Sequence, residues 1–223
     1  MKKSINLLIA CFVMASLLSF MAEDYTELAL SIAKAQEANR EQLKNYSWQR
    51  SSKAFRNGEE KVRTLVKVWF NSQGEMESTV ISSESNVKKQ PGVRGRMQQS
   101  AGGDLMDLLE KSLNLSINYI YLSKGNWIDL MDRSAVTEDD DAINIDSKDV
   151  LVKGDVTHFV LNGSTKLLKS LKVSSLVDGK PFTSTISFKT LNDGTNRPEH
   201  IEIEIPSEAL KVTAENIDYI KQQ

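Results

Sequence analysis

The chain predicts an α+β fold: a strongly curved antiparallel β-sheet, a half-barrel, capped by an N-terminal helix and a mid-chain helical insertion. Three observations predict it. Residues 26–44 carry an amphipathic helical pattern, period-two alternation fills two blocks at 46–82 and 155–214, and a second helical stretch over 104–131 separates those blocks. Three helical segments are too few to cover so many strands, so the sheet is expected to curl until its apolar face partly closes on itself.

The elements follow in order. Lys2 and Lys3 precede an apolar run from Leu7 to Met21, and Glu23-Asp24 opens the polar sequence, so residues 1–22 read as a signal peptide too short to span a bilayer. Cleavage after Ala22 leaves Phe20 where a small side chain is usual, which allows the boundary to shift by a few residues. Leu8-Ile9-Ala10-Cys11 resembles a lipoprotein cleavage box, but cutting there leaves a short apolar segment before Cys11 and a long one after it. The expected mature protein, residues 23–223, is one domain exported to the periplasm, with lipidation at Cys11 or an uncleaved anchor as alternatives.

Composition excludes several classes. There are 28 Lys and Arg against 30 Asp and Glu, and losing Lys2 and Lys3 moves the balance from −2 to −4, which argues against nucleic acid or anionic lipid as the main partner. Cys11 is the single cysteine and leaves with the leader, so disulfides, cysteine–zinc sites and thiol catalysis are all excluded from the mature chain.

Leu28, Ile32 and Ala35 share one face of the first helix. Tyr46, Trp48 and Arg50 alternate with Ser47 and Gln49, and Val62, Thr64, Val66, Val68 and Phe70 alternate with polar residues, as half-buried strands do. Arg56-Asn57-Gly58 and Asn71 to Gly74 punctuate them, giving a three-strand meander that ends near Ser82. Residues 83–101 lose all periodicity and hold Lys88, Lys89, Arg94 and Arg96 among Pro91, Gly92 and Gly95, so they read as a basic, solvated connection. From Asp104, Leu105, Leu109, Leu113, Ile117 and Tyr121 mark a helix. A shorter one after Gly125 carries Trp127, Leu130 and Met131.

The acidic run Glu138 to Asp141 reads as a loop. Five strands then follow: Asp155 to Leu161, Leu167 to Val177, Phe182 to Phe188, Ile201 to Ile205, and Leu210 to Ala214. Asn162-Gly163 and Asp178-Gly179 are short hairpin signals between them.

Catalytic motifs are absent. His158 and His200 lack a second histidine at ligand spacing, no Gly-x-Ser-x-Gly elbow or phosphate-binding glycine loop is present, and the acidic residues from Glu138 to Asp149 do not match an EF-hand. Neither an enzymatic activity nor a cofactor is expected.

The order helix, three strands, helical insertion and closing antiparallel strands, behind a signal peptide, resembles the LolA/LolB-like lipoprotein carriers of the bacterial envelope. The segments Leu171-Lys172-Val173 through Asp178-Gly179, Phe188 through Asp193-Gly194, and Leu210 to Asn216 with Tyr219 also resemble an uncharacterised group of exported bacterial proteins, as do Asn45 to Trp48 and Arg94-Gly95-Arg96. The carrier resemblance implies a sheet–helix cavity for a lipid or lipoprotein acyl chain, transient membrane association, and an arginine on an early strand that latches the lid. Arg50 and Arg63 are the candidates for that arginine, and Arg50 shares a face with Tyr46 and Trp48. Trp127, Leu130 and Met131 are the candidate lid contacts. Trp48, Val66, Val68, Phe70, Val173, Ile186, Phe188, Ile201 and Ile203 are the candidate wall. The alternative is an envelope interaction module that meets a protein partner and whose sheet face is filled by its own side chains.

Overall fold

The computed structural model describes residues 25–85, 93–139 and 141–222, with side chains from residue 106 onward in the helix that starts at Val93. The proposed leader with Cys11, and Lys88 and Lys89 of the basic connection, lie outside the described residues. Helix α1 (Thr26–Leu43) buries Ala29, Ile32, Ala33 and Leu43, the i, i+3, i+4 stripe of an amphipathic helix. Strands β1 (Tyr46–Arg56), β2 (Glu59–Phe70) and β3 (Met76–Ser85) form the expected meander. The β1–β2 turn holds Asn57 and Gly58 at φ of 54° and 77°, the mirror-image turn that matches strand twist and that Asn-Gly favours.

Helix α2 (Val93–Ile120) begins well before Asp104, so residues 93–101 are helical rather than part of a loop. Its deepest stripe runs through Leu108, Ser112, Ser116, Tyr119 and Ile120; of the expected face Leu109 is buried, while Leu113 and Ile117 are half-buried. The Ser112 and Ser116 hydroxyls donate to the carbonyls of Leu109 and Ser112, each at 2.9 Å. Bonding back to the preceding turn satisfies these hydroxyls and lets small side chains sit where the helix packs on the sheet. Helix α3 (Lys124–Met131) is started by a reciprocal cap in which the Asn126 amide donates to Ser123 Oγ at 3.1 Å and the Ser123 amide donates to Asn126 Oδ1 at 3.2 Å.

The second block contains seven strands: β4 (Ala135–Asp139), β5 (Ala142–Lys148), β6 (Val156–Asn162), β7 (Leu168–Val177), β8 (Lys180–Thr190), β9 (Asn196–Ile205) and β10 (Leu210–Lys221). The acidic run expected as a loop is therefore a hairpin, with Thr137 opposite Asn144 and Asp139 opposite Ala142. Its charges are tolerated because β4 is a sheet edge with Glu138 and Asp139 in water. Asp178-Gly179 makes the expected two-residue turn, at φ of 50° and 74°. Asn162-Gly163 instead opens a longer loop in which Asn162 Oδ1 accepts the amides of Ser164 and Thr165 at 2.9 and 2.8 Å.

All ten strands lie in one open, curved antiparallel sheet, ordered β3-β2-β1-β10-β9-β8-β7-β6-β5-β4. Every neighbour is sequential except β1 and β10, whose pairing from Arg50–Asn216 to Arg56–Leu210 fuses the two blocks. The register places Ile145, Phe159, Leu171, Ile186, Ile201 and Ala214 in one row across the concave face. Helices α1 and α3 pack on each other over this face, and α2 packs on β7 and β9. Between β5 and β6, the Asp155 carboxylate accepts the amides of Val150, Leu151 and Val152 and the Tyr119 hydroxyl, at 2.5 to 2.9 Å. That cage ties α2 to the loop. Among the described residues no helix is long and apolar enough to cross a membrane.

Candidate functional site

The seam between helices and sheet is open at one end. A cleft of about 350 Å³ lies between the C-terminal half of α1, the α2–α3 junction from Ile120 to Lys124, the β2–β3 turn at Gln73-Gly74, and Leu168, Phe188, Asn196 and Pro198 of the sheet. This volume is at the lower end of the roughly 300–1,000 Å³ of ligand pockets. Ala33, Leu43, Ile120, Leu122, Leu168 and Phe188 supply an apolar lining, and Gln36, Asn39, Arg40, Lys44 and Asn196 a polar one.

Polar side chains clamp α1 to the sheet around this opening. Asn39 Nδ2 donates to the Asn196 carbonyl at 2.8 Å, and Asn39 Oδ1 accepts the Asn196 amide at 2.7 Å. Gln36 Nε2 donates to the Lys166 carbonyl at 2.9 Å, and Arg40 Nη2 to the Gly74 carbonyl at 3.2 Å. Glycine is required at 74 because its φ is +78° and an added Cβ would stand 3.0 Å from Lys44 Nζ.

Below the cleft lies an aromatic cluster. Trp48 stacks on Tyr219 with ring centroids 5.2 Å apart, Phe70 meets Trp48 at 5.8 Å and Tyr121 at 5.9 Å, and the Arg40 guanidinium sits 5.7 Å above the Tyr121 ring. Arg50 is buried among them at 6 % exposure. Its Nε donates to Asn216 Oδ1 at 2.9 Å, an oxygen that also accepts Trp48 Nε1 at 3.0 Å, and its Nη2 lies 3.8 Å from Met76 Sδ. No carboxylate pairs with Arg50 among the described residues. Burial lowers its pKa, opposed by the Tyr121 and Tyr219 oxygens. Burial also pushes the Tyr121 phenol up to about 12, against the pull of Arg50 and Arg40, so it remains a donor at neutral pH.

Phe188 lines the cleft, the one wall candidate among the described residues that does. Val173, Ile186, Ile201 and Ile203, with the lid residues Trp127, Leu130 and Met131, are packed in the main core at 0–2 % exposure. Trp48, Val68 and Phe70 belong to the smaller cluster at the β1–β2 end, with Val66 half-buried against it. Arg50 reaches Asn216 and Met76 rather than a helix, and Arg63 is exposed and paired with Glu60 at 3.0 Å. The cleft residues that sequence reasoning missed are Asn39, Arg40, Tyr121 and Asn196. Tyr121 closes the helical stripe that predicted α2, and this is the one trace of them in the pattern.

His158 Nδ1 lies 2.8 Å from Asp146 Oδ1 as an exposed cross-strand pair, the geometry of a surface ion pair. Among the described residues no group of three His, Cys, Asp or Glu side chains is placed to hold a metal ion.

No protein-family model matches the chain, and no curated protein does. The chain is similar in overall layout to several solved structures. One is a LolA superfamily protein from Nitrosomonas europaea, at 12 % identity over 87 % of this chain and 93 % of that one, with a TM-score of 0.42. A second is a DUF1329 family protein from Desulfovibrio piger, at 10 % identity over 89 % of this chain and 93 % of that one, with a TM-score of 0.40. A third is a protein domain from Vibrio parahaemolyticus assigned to outer membrane lipoprotein sorting, at 10 % identity over 89 % of this chain and 94 % of that one, with a TM-score of 0.42.

Proposed function

We propose that the chain is an exported, non-enzymatic binding protein that holds a hydrophobic ligand, a lipid or a lipoprotein acyl chain, between its sheet and its helical cover. The leader-like residues 1–22 direct it to the periplasm, where it meets membranes transiently. One observation carries the reading: an apolar concave face is covered by α1 and α3, and α1 is fastened at the open end by polar side chains. Hydrogen bonds such as those of Asn39 with Asn196 exchange for water at a net cost of only about 0.5–1.5 kcal/mol each. The clamp can therefore release while the apolar half of α1 stays seated. The cleft is the entry point, and the lid must move outward for a chain to pass beneath it.

The test is extraction of protein purified from its native compartment, with lipids identified by mass spectrometry, followed by uptake of a fluorescent fatty acid. Co-purified lipid and saturable uptake are expected; recovery of no lipid together with no uptake refutes the reading. The second reading, an envelope interaction module, is favoured by the close packing of Val173, Ile186, Ile201 and Ile203. It stands if both measurements are negative.

A further inference from the structure

Three guanidinium groups gather at the end of the molecule that carries the cleft. Arg40 lies over Tyr121, Arg197 lies 4.6 Å from the centroid of Tyr219, and Arg50 is buried between the same two tyrosines and Trp48. Like charges in a shielded place repel, so such a gathering needs negative charge among it. The nearby acids supply little. Glu199 is 3.7 Å from Arg197, Glu41 is taken by Lys44 at 2.6 Å, Asp193 is taken by Tyr46 and Lys221, and Glu37 lies exposed on the cleft rim. The carbonyl end of α1 and the Gly74 carbonyl offset part of the Arg40 charge.

The unmet hydrogen-bonding groups here share one character. Arg40 Nε, Arg197 Nε and the Tyr121 hydroxyl are fully shielded from water and have no partner. Each is a donor. A shielded donor without an acceptor is destabilising, so three of them at one end of the molecule describe a place suited to an acceptor. Arg40 and Tyr121 line the cleft, and Asn196 and Pro198, the neighbours of Arg197 in the chain, line it too. Lys124 adds a cation at the rim, at the start of α3.

We propose that this arginine–tyrosine cluster binds an oxyanion, the carboxylate or phosphate head of an anionic amphiphile, with Arg40 and Tyr121 as its direct donors once outward movement of α1 uncovers them, and Arg197 and Arg50 as supporting charge. The inference deepens the lipid-holding reading and rests on it for the amphiphile, while the oxyanion site itself does not. The head group stays in the polar cleft, and the attached chain follows the apolar lining of Leu168 and Phe188 toward the concave face. A neutral lipid of the same length finds the apolar path but leaves the donors unpaired.

The full chain is titrated with oleate, oleyl alcohol and inorganic phosphate, read by calorimetry and by tryptophan fluorescence, to which Trp48 in its stack on Tyr219 contributes beside Trp69 and Trp127. Oleate is expected to bind about tenfold or more tighter than oleyl alcohol, the worth of one charge-assisted hydrogen bond, and phosphate to compete with it. Arg40→Gln should remove most of that preference, with oleyl alcohol affected far less, and Arg197→Gln reports on the same site should the first variant fold poorly. Equal binding of oleate and oleyl alcohol overturns the oxyanion site and leaves the lipid-holding reading standing. An unchanged preference in both variants overturns it as well. Phosphate binding that Arg40→Gln weakens, with neither amphiphile bound, upholds a free-oxyanion site and removes the lipid-holding reading. Binding of no probe sinks both.

Discussion

Replacing Arg50 by methionine should make the protein more stable. The guanidinium is buried, is held by one neutral oxygen at 2.9 Å and one thioether sulfur, and faces no carboxylate among the described residues. Stripping water from an ion costs several kcal/mol, and a hydrogen bond from a charged donor returns about 1.5–3 kcal/mol. The substituted side chain would keep most of the apolar stem between Trp48 and Val66. Asn216 Oδ1 would retain its Trp48 donor at 3.0 Å, so no acceptor is orphaned. Relief of repulsion from Arg40 and Arg197 acts in the same direction. The net gain should be about 1–3 kcal/mol, which raises Tm by about 2–10 °C for a chain of this size. Urea unfolding followed by tryptophan fluorescence, with calorimetry as the second probe, measures it. A loss of stability greater than about 1 kcal/mol would refute the reasoning, because Arg50 would then be a structural support and not a charge held against a cost.

Other perturbations give equally definite outcomes. Asp155→Ala leaves three backbone amides and Tyr119 without their acceptor, and should cost about 3–5 kcal/mol, measured as a fall in urea midpoint. Burial pushes the Asp155 pKa up, but Tyr119 and the amides of Val150 to Val152 outweigh it and hold the carboxyl below its usual value. A lowered folded-state pKa means the stabilisation is full above about pH 4 and is lost as pH falls through the folded value, so wild type and variant should converge in acid. Gly179→Val, at φ of +74° with open space around its Cβ, should cost about 1–2 kcal/mol from backbone strain alone. Gly125→Ala, inside α3 and 3.8 Å from Ser123 Oγ, should instead gain up to about 1 kcal/mol in thermal denaturation. The opposite order of these two would contradict the assigned turn and helix.

The strands bearing Val62 to Phe70 and Leu168 to Phe188 were legible because each keeps one face dry, which forces period-two alternation into the residues. The hairpin of β4 and β5 was not. An edge strand buries little, so Thr137, Glu138 and Asp139 carry no apolar signal and resemble a loop. The start of α2 was hidden by Gly95, Gly102 and Gly103, whose presence argues against a helix residue by residue. Trp127, Leu130 and Met131 stand out in the sequence as apolar residues at helical spacing and all three are buried, yet burial alone does not distinguish a wall from a filling. The cleft was illegible for another reason. Asn39, Arg40, Tyr121 and Asn196 come from three distant segments, and each looks like an ordinary polar or aromatic residue until the fold brings them together.

The bond between the first strand and the last also sets when this molecule can come into being. Until residues 210–221 emerge, β1 has no neighbour on one side and the two sheet blocks remain separate, whichever hairpins have already closed. Contacts so far apart along a chain form late and slowly. The sheet can therefore be completed only after residues 210–221 have been synthesised, and until then the two hairpin blocks behave as separate, unjoined pieces.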